Sequence, residues 1–197
     1  ALIGALLLQI ATNFANDYFD FLKGADTPDR QGPLRVTQAG LVRPQSVRNA
    51  FIVTFSFAAL GAVWLGLRAG PVLILIGVLA IASGIFYTAG PRPLGYMGLG
   101  DIFAFVFFGP VAVGGTYYVQ TLAFRPASVV AGVAPGLFAV AMLAVNNLRD
   151  IDGDREAGKR TMAVRFGRRF ARWEYGVAIV GAALVPVLLW SCDQVPM

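Results

Sequence analysis

Apolar residues in this chain come in long blocks, without charged residues interleaved at three- and four-residue intervals. Six blocks hold no Asp, Glu, Lys or Arg: Ala1 to Asn16, Asn49 to Leu67, Ala69 to Pro91, Ile102 to Phe124, Pro126 to Leu148 and Tyr175 to Cys192. A bilayer-crossing helix needs about 20 mainly apolar residues, so the blocks predict six membrane-crossing helices. Buried helices of a water-soluble bundle would each carry a charged stripe at helical spacing, and these blocks carry none. The predicted fold class is therefore all-α, a polytopic transmembrane helical bundle.

Composition narrows the chemistry. Hydrophobic residues make up 57% of the 197 and charged residues only 14%, against roughly 25% charged in a soluble domain. The absence of histidine excludes a Ser-His-Asp triad, His-ligated zinc and His-ligated haem. Cys192 is the single cysteine, so an internal disulfide and a cysteine-rich metal site are excluded too. The chain opens inside an apolar block, without an initiator Met or a charged leader segment, and stops just after the sixth block. The expectation is one transmembrane domain over residues 1–197, truncated at both ends.

Charge orients the predicted bundle. The segments Asp17 to Arg48, Arg92 to Asp101 and Arg149 to Glu174 follow the first, third and fifth blocks and must lie on one membrane face. They hold 14 of the 16 Lys and Arg, leaving only Arg68 and Arg125 opposite. The positive-inside rule makes the charged face cytoplasmic, which predicts a multi-pass protein of the cell (inner) membrane with cytoplasmic active-site loops. Ten of the eleven acids share that face, Asp193 being the exception. A topology rule accounts for the bases but not for the acids.

The acids form two clusters built alike. In the first, Asn13, Asn16 and Asp20 stand at i, i+3 and i+7 on one helix face, with Asp17 one step round. In the second, Asn146, Asp150 and Asp154 follow at i, i+4 and i+8. Carboxylates at a helix C-terminus oppose the macrodipole, a cost that a bound cation offsets. Hard oxygen ligands suit Mg²⁺, which binds through one or two carboxylates while keeping water and substrate phosphates. Lys23, Arg149, Arg155, Lys159 and Arg160 flank the acids and supply cations for a diphosphate. The bland alternative is a solvated face of local salt bridges. Residues Gly153 to Arg160 mimic a phosphate-binding P-loop, but Arg160 replaces the required Ser or Thr and no strand precedes it.

The middle segment, Tyr87 to Asp101, is rich in Gly and Pro, which impose turns on so short a connection. Tyr87 and Tyr96 suit a membrane-interface belt and Asp101 suits a helix cap. The rival reading makes Tyr87, Arg92 and Asp101 a third wall of the same site, and composition leaves both open.

Asn16-Asp17-x-x-Asp20 paired with Asp150-x-x-x-Asp154, each at a membrane helix end, resembles the UbiA superfamily of intramembrane prenyltransferases. The stretches from Asn16 through Lys23, Gly24 and Arg30 to Gly32-Pro33-Leu34-Arg35, then Tyr87-Thr88, Pro93 to Asp101, and Asn146 to Asp150 are most similar to its 1,4-dihydroxy-2-naphthoate prenyltransferase branch. The resemblance implies nine transmembrane helices around a central cavity, six of them present here. It implies that a polyprenyl diphosphate alkylates 1,4-dihydroxy-2-naphthoate with loss of carboxylate and diphosphate, giving demethylmenaquinone, with Mg²⁺ as cofactor, the lipid bilayer as setting and no nucleic acid partner. Carried over by position, Asn16, Asp17, Asp20, Asp150 and Asp154 would coordinate Mg²⁺. Asp20, Asp150, Asp154 and Tyr87 would be catalytic. Lys23, Asp26, Arg30, Arg35, Arg92, Arg149, Arg155, Lys159 and Arg160 would bind substrate, with Arg35 or Arg92 taking the naphthoate carboxylate.

The chain departs from the superfamily pattern in having Gly24 where an acid is common, with Asp26 nearby, and Pro91 then Arg92 where a Lys follows the Tyr. Phe14, Phe86 and Phe105 are candidates for holding an allylic cation against an aromatic face. Two alternatives stand beside this reading: another aromatic acceptor within the superfamily, and a cation-coupled transporter with acids lining a path through the bilayer. Clustering of the acids on one face disfavours the transporter.

Overall fold

The computed structural model describes residues 1–25 and 35–192, and among these the regular structure is entirely helical. The helices are α1 (Leu2–Leu22), α2 (Pro44–Ala69), α3 (Val72–Phe86), α4 (Gly100–Phe108), α5 (Pro110–Thr121), α6 (Pro126–Ala131), α7 (Val133–Arg149), α8 (Ile151–Glu156) and α9 (Met162–Ser191). All six apolar blocks fold as helices, the fourth as α4 with α5 and the fifth as α6 with α7. Pro44–Ala69, Gly100–Thr121, Pro126–Arg149 and Met162–Ser191 are long and apolar enough to cross a membrane, and Val72–Phe86 is a shorter apolar helix. In α1 the polar residues Asn13, Asn16, Asp17 and Asp20 occupy the C-terminal half.

Most buried apolar residues are alanines, with Phe51, Phe55, Ile151 and a few others among them, while many large apolar side chains face outward. Ala11, Ala15, Ala58, Ala141, Ala144, Ala163, Ala171, Ala178 and Ala182 are all buried, while Leu2, Ile3, Trp64, Leu67, Phe138, Met142 and many others point outward. Lipid tails are as apolar as leucine, so burial of large side chains does not drive helices together in a bilayer, and close approach at small residues does. The longest seams run between α7 and α9, α1 and α2, and α4 and α7.

Two spans are interrupted, one of them where it crosses its neighbour. Gly109 leaves helical geometry at φ −110°, ψ −107°, and Pro110 after it has no N–H to continue the ladder. A Cβ on Gly109 would lie 2.5 Å from the Gly132 carbonyl oxygen and 2.8 Å from the Gly136 Cα, so backbone meets backbone at this crossing. In α9, Gly167 kinks the helix at φ 85°, ψ 174°, a conformation open essentially to glycine alone.

Helices also extend further into the charged segments than the uncharged blocks do. α1 runs on to Leu22, so Asp17 and Asp20 lie within the helix; α9 starts at Met162, well before Tyr175. The reason is local: Thr161 caps α9 by accepting a hydrogen bond from the Val164 N–H at 3.3 Å, and Ala, Arg and Glu are good helix formers whether or not lipid surrounds them.

Candidate active site

The ends of the first, third and fifth blocks meet at one end of the bundle, as the charge pattern predicts. The hub is Tyr96, in the turn between α3 and α4. Its hydroxyl donates to Asp20 Oδ1 at 3.0 Å, and its carbonyl accepts the Arg160 N–H at 2.8 Å. Its ring lies beneath two ammonium groups, Lys23 at 4.6 Å and Lys159 at 5.1 Å from the centroid, within cation–π range. One side chain thereby joins α1, the middle turn and the segment after α8.

Lys159 connects the two acidic clusters. Its Nζ lies 3.6 Å from Asp20 Oδ2 and 3.5 Å from Asp154 Oδ1. Arg35 Nη2 approaches Asp20 at 4.0 Å, so the Asp20 carboxylate faces a phenol, a guanidinium and an ammonium. Asp20 is only 3% exposed and Asp17 5%, a position in which a carboxylate needs such partners. Asp17 Oδ1 has no hydrogen-bond partner among the described residues. Burial pushes the Asp154 carboxyl above its ordinary value; Lys159 pulls it back, while Asp150 and Asp20 add to the rise.

The remaining predicted residues form a shell around this pair. Asn16 Oδ1 accepts the Thr88 hydroxyl at 3.1 Å. Lys23 donates to the carbonyls of Thr88 and Gly90, the latter at 3.3 Å, tying α1 to the end of α3. Burial holds the Lys23 ammonium below its usual pKa, opposed by Asp20 and reinforced by Lys159. Asp150 is gripped in a fork by Arg149, with both bonds at 2.7 Å. Tyr87 packs under Gly95 and Gly100, where an added Cβ would meet its ring and hydroxyl at 2.9 and 2.7 Å; Asp101, Asp154 and Asp20 lie within electrostatic reach of it.

Other candidates are placed apart. Arg155 pairs with Asp152 at 3.4 Å, and the side chains of Arg92 and Arg160 are exposed. Asn13 turns back to the Gln9 carbonyl. Phe14 packs in the cluster around Phe51 and Phe55, Phe105 against the backbone near Gly136, and Phe86 points outward, 56% exposed. Asp26 and Arg30 lie outside the described residues. Tyr96 and Thr88 were not among the candidates. Their signal was position alone, a Tyr and a Thr in the Gly/Pro turn on the charged face.

Among the described residues no three acids converge closely enough to hold a metal ion by themselves. The donor chemistry nonetheless suits a hard cation: Asp20 and Asp154 already share one positive centre, and the Asp17 oxygen is buried without a partner. Mg²⁺ asks for only one or two carboxylates when substrate phosphates and water complete its shell.

Known sequences agree with this architecture. The UbiA prenyltransferase family matches residues 1–196. The chain belongs to that family. The family's prenyltransferases generally depend on a metal, and this member is a multi-pass membrane protein by its helices. It is 45% identical to the 1,4-dihydroxy-2-naphthoate octaprenyltransferase of Escherichia coli over 97% of its own length and 64% of the relative's. The enzyme of the same name from Mycobacterium tuberculosis is 42% identical, with 96% and 65% covered. The 2-carboxy-1,4-naphthoquinone phytyltransferase of Synechocystis is 29% identical, with 99% and 62% covered. The chain thus spans somewhat less than two thirds of the relatives it matches, and no solved structure matches it.

Proposed function

We propose that the protein transfers a polyprenyl group from polyprenyl diphosphate to 1,4-dihydroxy-2-naphthoate with decarboxylation, giving demethylmenaquinone in its reduced, quinol form. The observation that carries this is the meeting of two acidic helix ends on Lys159, in a family whose relatives are named for that acceptor. The site would face the cytoplasm in the inner membrane, since 14 of the 16 Lys and Arg fall on its side.

The chemistry follows from the groups at hand. The allylic C–O bond of the diphosphate breaks, the prenyl carbon bonds to the ring carbon bearing the carboxylate, and CO₂ leaves. Charge develops on the diphosphate as it departs, and fixed cations there lower the barrier. Lys159 and Lys23 lie beside Asp20 and would bind phosphate oxygens, with Arg149, Arg155 and Arg160 at the rim. Asp20 and Asp154 would hold Mg²⁺, with Asn16, Asp17 and Asp150 beside them; the ion would neutralise the leaving group. Tyr96 holds Asp20 and both lysines in register, and Tyr87, neutral and packed under two glycines, would line the acceptor's side. Arg35 or Arg92 would take the naphthoate carboxylate. The apolar helices exclude water from the cation.

The test uses the full-length protein in detergent, incubated with Mg²⁺, a polyprenyl diphosphate and 1,4-dihydroxy-2-naphthoate. Prenylated, decarboxylated product by mass spectrometry, abolished by EDTA, is the expected result. Product with a hydroxybenzoate instead would overturn the acceptor, and silence with every acceptor would overturn the reaction.

A further inference from the structure

Beyond the acidic site, the first part of α9 carries a second concentration of charge. Arg165, Arg168, Arg169 and Arg172 fall within eight residues, interleaved with Phe166, Phe170 and Trp173. Two of these arginines are engaged: Arg165 Nη2 donates to the Met97 carbonyl and Arg168 Nη2 to Asp152 Oδ2, both at 2.7 Å. Arg169 and Arg172 make no hydrogen bond or ion pair with any described residue. With Phe166, Phe170 and Trp173 they line an open groove of about 600 Å³.

The groove lies on the outer side of the helix. Ala163, Ala171 and Ala178 are buried, whereas Phe166 and Trp173 are 60% and 69% exposed. Glu174, the only acid in α9, is half-buried and lies within electrostatic reach of Asp101 on α4. The groove's place along the helix is equally telling. Polar chain and the Asp152–Arg168 pair lie at one end, and the uncharged block from Tyr175 onward lies at the other. That is headgroup depth, where Trp and Tyr anchor helices and arginine meets lipid phosphate.

We propose that this groove binds the phosphate headgroup of an anionic phospholipid, Arg169 and Arg172 holding the phosphate and Phe166, Phe170 and Trp173 covering the glycerol and upper acyl region. Orientation by positive charge needs only net charge on this face; it does not need two guanidinium groups without partners among the described residues set among aromatic rings. A fork of N–H donors matches phosphate oxygens, and membrane-interface aromatics supply the apolar half of the contact. The site is separate from the diphosphate machinery and does not depend on the identity of the acceptor.

The test uses the full-length protein, delipidated in detergent and titrated with phosphatidylglycerol or phosphatidylcholine, with bound lipid counted by native mass spectrometry. Phosphatidylglycerol should bind in preference, and Arg169→Gln with Arg172→Gln should weaken it by roughly ten- to thirtyfold, the loss expected for two cations near an anionic surface. Arg68→Gln, on the opposite face, should bind as the unaltered protein does. A photoactivatable phosphatidylglycerol gives a readout on the unaltered protein and should crosslink to the peptide containing Phe166 to Trp173. Equal retention of both lipids, crosslinks only elsewhere, or a double variant that keeps phosphatidylglycerol but loses polyprenyl diphosphate would each overturn the proposal.

Discussion

The two acidic helix ends are spelled alike and held differently. At the end of α1, Asp20 sits within an unbroken helix, buried, and its partners Tyr96, Arg35 and Lys159 come from three distant parts of the chain. At the junction of α7 and α8 the helix breaks at Asp150, whose partner is its own neighbour Arg149. Asp154 then sits on the short α8, tied to Lys159 five residues on. One end is anchored by tertiary contacts and the other by local ones. A similar sequence pattern thus yields one carboxylate that depends on the whole assembled face and another that carries its counter-charge with it.

That difference predicts a ranking. Asp20→Asn should cost prenyl transfer about two to three orders of magnitude, the scale for removing a group that stabilises developing charge. Asp150→Asn should cost less, because Arg149 already neutralises that carboxylate in the resting site. Steady-state rates on correctly inserted protein decide it, and equal losses would break the comparison. Lys159→Met comes next, at about ten- to a hundredfold in kcat/KM, in line with a charge-assisted contact. Lys159→Arg should recover part of the loss if shared charge is what the lysine provides, and a variant as inactive as the Met form would argue against that role.

Smaller effects sharpen the same picture. Tyr96→Phe removes the bond to Asp20 but keeps the ring under both lysines, so activity should fall only several-fold, the size of one hydrogen bond. Tyr96→Ala removes both and should fall further; matched values for the two would place the whole effect in the hydroxyl. Gly109→Ala tests the scaffold alone: overpacking against the Gly132 carbonyl should lower stability by about 1–3 kcal/mol. A thermal melt in detergent would read the change, with Gly115→Ala, which meets nothing within 4 Å, as the neutral control.

Much of this architecture is legible in the sequence. Six uncharged blocks, a single charged face and two acidic clusters built alike point to the helices, to the end of the bundle where charge gathers, and to Asp20 and Asp154, which meet on Lys159 there. The membrane explains why. Every backbone N–H and C=O within hydrocarbon must be satisfied, so an apolar block long enough to enter the bilayer has to be largely helical. Charge then decides which end faces which side.

Tertiary structure decided what touches what. Tyr96 stands 76 residues from Asp20, and nothing local separates it from an interface tyrosine. The break at Gly109 needed the facing backbone of Gly132 and Gly136 to give it meaning, and the continuation of α9 through the arginines was hidden because uncharged blocks mark the membrane, not the ends of helices. Side-chain partnerships at this site are set by helices crossing at small residues, a matter of shape between distant segments that local patterning does not encode.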